Sequence, residues 1–296
     1  MNTENIGFLL NSLKYLGFQD KPGICDRLEE EIANEPLEFQ LTTEAFFEET
    51  CKMETILYFV RSDRSDLYFF SRYEAWLHYP DDPEKDRKQT FFISKGRGVT
   101  FKEAFNLLQG RAVNKNLTSK EGEKYNAWLQ LNFEEKDTNN NYKVKQFHEH
   151  YGYELEKVLE KYPIRELDLP QLRQSLLRSL KRGNLHAVTL KKARKIERML
   201  IEASPQYKSI NLYRPDIKAG YAYVESHEME PEPELELEEI PPGAYGGEVR
   251  GNKGNDLPWD DEAPAKPREL NAALAVKEPV TLPPPEKAAA KKGSRK

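Results

Sequence analysis

Apolar residues recur at Ile6, Leu9, Leu10, Leu13 and Leu16, a spacing that lines them along one stripe of an α-helix. Gly17 follows and can take the left-handed conformation that ends such a helix. A second helix is expected after Pro22, with Ile24, Leu28 and Ile32 inward and Glu29, Glu30 and Glu31 outward, until Pro36 stops it. From Phe39 the pattern turns to β. Residues 55–61 (TILYFVR) and 67–79 (LYFFSRYEAWLHY) are rich in β-branched and aromatic side chains and flank the turn-like SDRSD, which predicts a hairpin. A charged loop follows, and 90–94 (TFFIS) predicts a third strand. Thr100 with Glu103 three residues on has capping-box spacing, and Phe101, Ala104, Phe105 and Leu108 form the buried stripe of a helix that Gly110 ends.

Tyr125, Ala127, Leu129, Leu131 and Phe133 alternate with more polar partners, Trp128 apart, so YNAWLQLNF predicts a strand, paired with 142–147 across the turn at 138–141. Helices are expected over 154–161 and over 170–182, the latter burying Leu172, Leu176, Leu177 and Leu180 before Gly183. Residues 187–203 are ambiguous. Leu190, Ala193, Ile196 and Leu200 approximate a helical face, whereas 188–190 and 199–201 suit the strands of a hairpin joined by the basic KKARKI. Residues 207–213 (YKSINLY) predict a final strand. The fold class is therefore α+β: two N-terminal helices, antiparallel sheet structure interleaved with helices, and a disordered C-terminal tail.

The tail is expected because composition changes near Val224. Eight glutamates between 225 and 239, punctuated by Pro231 and Pro233, cannot bury enough apolar surface to order themselves. An acidic motif at 256–262 contains Leu257, Trp259, Asp260 and Asp261, and the end at 287–296 is basic. The chain thus divides into 1–97, a helical hairpin plus β-hairpin region, 98–213, an α+β module, and 214–296, the tail. Net charge is a mild −5, and the two cysteines, Cys25 and Cys51, provide neither a disulfide framework nor a CxxC pair, so a cytoplasmic location is expected. The stretch 6–16 is interrupted by Asn11, Ser12 and Lys14 and reads as a helix rather than a signal peptide. No stretch approaches the roughly 20 apolar residues of a membrane span, and no membrane partner is expected.

Four phrases carry a resemblance: GVTFKEAFNLLQGRAVNKNL from Gly98, EGEKYNAWLQLNF from Glu121, YKVKQFHEHYGYELEKVLEKYPIREL from Tyr142, and IEASPQYKSINLY from Ile201. This block resembles an uncharacterised family of conserved proteins carried on conjugative and other mobile elements of anaerobic bacteria. The resemblance implies a cytoplasmic protein accessory to plasmid or transposon biology and supplies no catalytic residue. It also implies a β-hairpin at 187–203, although relatives favour a Gly-containing turn where this chain has Lys192-Ala193-Arg194.

Candidate chemistry is sparse. Lys95-Gly96-Arg97-Gly98 precedes a helix N-terminus and could in principle hold a phosphate, but it lacks nucleotide-loop spacing and reads better as a turn feeding the Thr100 cap. His148 and His150 would share one side of an extended strand with no third ligand at helpful spacing. Cys51 has no neighbour in sequence that would activate it. No catalytic residue, metal or cofactor is expected.

The basic cluster is the stronger signal. Arg165, Arg173, Arg178, Lys181, Arg182, Lys191, Lys192, Arg194, Lys195 and Arg198 stand against Glu166, Asp168 and Glu197, a local balance of +7. Such a segment can neutralise phosphates, and without an aromatic residue it would do so non-specifically; it is equally a solvated helix face plus a charged turn. Two functions lead, and an enzyme that a cleft with convergent carboxylates or His148 would reveal comes third. In one, a non-enzymatic accessory protein contacts nucleic acid through this segment and recruits protein partners through Leu257, Trp259, Asp260 and Asp261. In the other, a protein-interaction or counter-defence factor uses its acidic tail to imitate DNA and binds no nucleic acid.

Overall fold

The computed structural model describes residues 2–47, 51–119, 122–192 and 195–215. Helices α1 (Thr3–Leu16) and α2 (Ile24–Ala33) form as their stripes predict. The Asn2 side chain caps α1 by accepting from the Asn5 N–H, and Gly17, at φ 79°, ends it. Strands β1 (Glu38–Phe47), β2 (Cys51–Arg61), β3 (Tyr68–His78) and β4 (Arg87–Phe92) then make an antiparallel four-stranded sheet in chain order. The hairpin expected at 55–61 and 67–79 is β2–β3; β1, ahead of it, is a further strand of the same sheet.

One face of this sheet carries Leu41, Leu57, Phe59, Tyr73 and Phe91 into a core shared with Leu9 and Leu13 of α1 and Leu28 of α2. Phe18 sits centrally, edge-on to Tyr73 at 5.1 Å and to Phe101 at 5.4 Å, a geometry that suits aromatic quadrupoles. Asn5 ties α1 to the start of β3: its amide donates to the Tyr68 carbonyl at 3.0 Å and its oxygen accepts from the Tyr68 N–H at 2.8 Å. Helix α3 (Phe101–Leu108) starts on the expected capping box and puts Phe101, Ala104, Phe105 and Leu108 into the same core, which therefore runs across position 97/98.

The middle sheet, β5 (Val113–Thr118), β6 (Lys124–Lys136) and β7 (Tyr142–His148), has the order β5-β6-β7. Both sides of β6 are covered. Leu129 and Leu131 face the first core, while Trp128 enters a second one. That second core gathers Phe147, Leu159 of α4 (Leu155–Leu159), Leu176 and Leu180 of α5 (Pro170–Lys181), and the inner face of the last sheet. This sheet is β8 (His186–Lys192), β9 (Lys195–Ser204) and β10 (Ser209–Tyr213), ordered β10-β9-β8. Residues 187–203 thus form a hairpin rather than a helix. The α+β class is as the sequence predicts; residues 216–296, including Leu257, Trp259, Asp260 and Asp261, lie outside the described residues.

The two cores meet at a buried polar seam. Asn106, fully enclosed on α3, donates to the Arg182 carbonyl at 2.7 Å and to Asn184 Oδ1 at 2.9 Å, and accepts from Arg111 at 2.9 Å. Arg111 Nε lies 3.8 Å from Glu202, whose other oxygen accepts from Tyr213 Oη at 2.7 Å and Asn211 at 2.9 Å. Asn184 reaches Ser179, and Ser179 Oγ lies 2.9 Å from Nδ1 of the fully buried His186. Gly183 makes the approach possible: it has φ 79°, and a Cβ there would stand 2.8 Å from the Ala112 carbonyl oxygen.

Gly183→Ala is expected to lower stability by about 2 kcal/mol or more, from left-handed strain plus that clash, as read from denaturant midpoints. Burial pushes the His186 imidazole down to about 4, below its unfolded value of about 6.5. The unfolded chain therefore takes up a proton that the folded one refuses. Stability from this site is complete above about pH 6.5 and falls as pH drops towards 4, by about 3 kcal/mol in all. Denaturant titrations at several pH values should show His186→Gln lacking this part of the acid loss that the unmodified chain displays.

Candidate nucleic-acid interface

Proline opens α5 at its first turn, where the missing N–H costs nothing. Leu176 and Leu180 turn inward, so Arg178, Lys181 and Arg182, spaced three and four apart, share the opposite side. Arg178 and Lys181 also lie in the last turn, where cations complement the helix dipole. Arg173 stands apart from them. Its guanidinium donates to Glu160 at 2.6 Å and lies 3.8 Å from Glu156, so it fastens α5 to the α4 region. Both carboxylates come from outside the stretch that the sequence balance counted.

The hairpin carries the remaining cations. Its register sets Thr189 opposite Arg198, Lys191 opposite Ile196, and Lys192 opposite Lys195 on the last rung. Val188 and Leu190 belong to the core that holds Leu176 and Leu180, so α5 packs on that side of the sheet. Strand alternation puts Thr189, Lys191, Ile196 and Arg198 on the other side. The basic segment is therefore two elements facing away from each other: the outer side of α5, and the hairpin end. Lys191 and Arg198 are exposed there, and Ile196 is 68% exposed, so this side of the hairpin is open to solvent at these positions. Arg194 lies outside the described residues. Arg165 is exposed on the 3₁₀ turn Arg165–Asp168.

Carboxylates within the segment have specific duties. Glu166 is buried, and both its oxygens accept from the Thr189 N–H at 3.0 Å. The Lys191 N–H donates to the Pro163 carbonyl at 2.8 Å, and Ile164 bridges to Leu190. The outer edge of β8 is thereby sealed. Asp168 forms an ion pair with the Lys191 ammonium, so one hairpin cation is matched within the chain.

The other candidates resolve into structure. Residues 94–97 form a tight turn with Lys95 at φ 50° and Gly96 at φ 72°, and the Glu103 carboxylate occupies the α3 N-terminus by accepting from the Thr100 N–H at 2.8 Å. His148 ends β7 whereas His150 lies on a 3₁₀ turn, so the shared side of an extended strand does not form. Among the described residues no cluster of three or more His, Cys, Asp or Glu could hold a metal ion. Cys51 is buried and donates to the Phe47 carbonyl at 3.3 Å. Burial, with Asp26, Glu29 and Asp20 nearby, pushes the Cys25 thiol up, away from the reactive thiolate. No helix among the described residues is long and apolar enough to cross a membrane.

Sequence reasoning missed Asn106, Arg111, His186 and Glu202, the polar groups that join the cores, because nothing local marks a buried polar residue whose partners are distant in sequence. No protein-family model, curated protein or solved structure matches the chain.

Proposed function

We propose that this is a non-enzymatic accessory protein of a bacterial mobile element that contacts nucleic acid non-specifically through the β8–β9 hairpin end. The observation that supports the reading is the density of cations along this hairpin, with Lys191, Lys192, Arg194, Lys195 and Arg198 within eight residues and Lys191, Ile196 and Arg198 exposed. Cations at the end of such a hairpin displace the counterions condensed on a nucleic acid. The outer side of α5, with Arg178, Lys181 and Arg182, is a secondary surface facing another direction. The mobile-element context rests on the resemblance over residues 98–213. Protein partners are assigned to the tail motif of Leu257, Trp259, Asp260 and Asp261, since an aromatic among carboxylates suits a partner's pocket.

Fluorescence anisotropy with oligonucleotides of unrelated sequence tests the hairpin. Binding should be weak, indifferent to sequence and steeply dependent on salt. Charge reversal at Lys191, Lys192, Arg194 and Lys195 should weaken it equally for all sequences and flatten the salt slope, whereas Asp168→Asn, which releases Lys191, should tighten it. Absence of binding at low salt, or indifference to the reversal, would leave the interaction-only reading, in which the acidic tail imitates DNA.

The acidic run at 225–239 should compete for the same cations, because its tether keeps it at high local concentration. Screening over about 8 Å at physiological salt makes the competition strongest in dilute buffer. Deleting 225–239 should therefore tighten binding at low salt and matter little at high salt, while Trp259→Ala should spare nucleic-acid binding and reduce capture of a protein partner. Unchanged affinity at every salt concentration would remove the gating role.

A further inference from the structure

We draw no further inference here: the strongest candidate, the outward face of the β1–β4 sheet at Tyr58, Trp76 and Phe92, carries nothing, because its lysines, Lys52 and Lys88, are already paired with Glu44, Glu54 and Glu74 and nothing in the structure shows what covers it.

Discussion

Everything between α3 and β10 depends on how Asn106 is satisfied. It sits in the middle of a helix whose other buried residues are Phe101, Glu103, Ala104, Phe105, Leu107 and Leu108, and it is as fully buried as the apolar ones. Both its amide hydrogens and its oxygen are used, on Arg182, Asn184 and Arg111, three points spread over more than seventy residues of chain. A buried polar group with every partner in place specifies one arrangement, and with one missing it is costly. Apolar packing alone would let the second core slide against the first; directional bonds at Asn106 fix the offset. Arg111 and Glu202 extend the same logic. A buried ion pair is a weak source of stability, yet removing either partner leaves a stranded charge, so the pair enforces the β9–β10 position.

The helices and the central strands were legible because their information is local. The α1 stripe, the Thr100–Glu103 box and the aromatic run of β2 and β3 each declare themselves within a few residues. β6 was legible, and its one irregularity has a cause: Trp128 breaks the alternation because β6 is buried on both sides. β5 could not be read. Its sequence, VNKNLT, has amides where apolar residues would alternate, and those amides pair across the strands, Asn114 to Asn126 at 2.7 Å and Asn126 to Asn116 at 2.7 Å. The choice at 187–203 was undecidable from period alone. Leu190, Ile196 and Leu200 mimic a helical face by coincidence, and the deciding contacts come from Ile164, Glu166 and α5, elements that a window on the hairpin does not include.

The basic segment shows where counting charge fails. A balance of +7 over residues 165–198 treats the stretch as one surface, but a helix packed on one side of a sheet and side chains on the other side cannot add their fields at close range. Charge is also paired across the boundaries of the window, as Glu156 and Glu160 do for Arg173. Glu166, which the count sets against a cation, is spent on a backbone amide instead. The field at any point of the surface therefore depends on the facing of each element, and within this stretch the cations lie closest together along the chain at 191–198.

Edge strands bring these threads together. Sealing β4 takes the side chains of Gln89 and Asn141, both buried, and sealing β8 takes the buried Glu166. Each seal lies where the edge would otherwise face protein interior, so its backbone groups cannot be left to water. β1 differs in this respect. Its outward positions, Glu38, Gln40, Thr42, Glu44 and Phe46, are exposed throughout, and water satisfies their N–H and C=O groups without penalty to the single chain. Folding thus places no demand on this edge. Glu38 and Glu44 stand among these outward positions, charged side chains of the kind that keep an exposed edge in water.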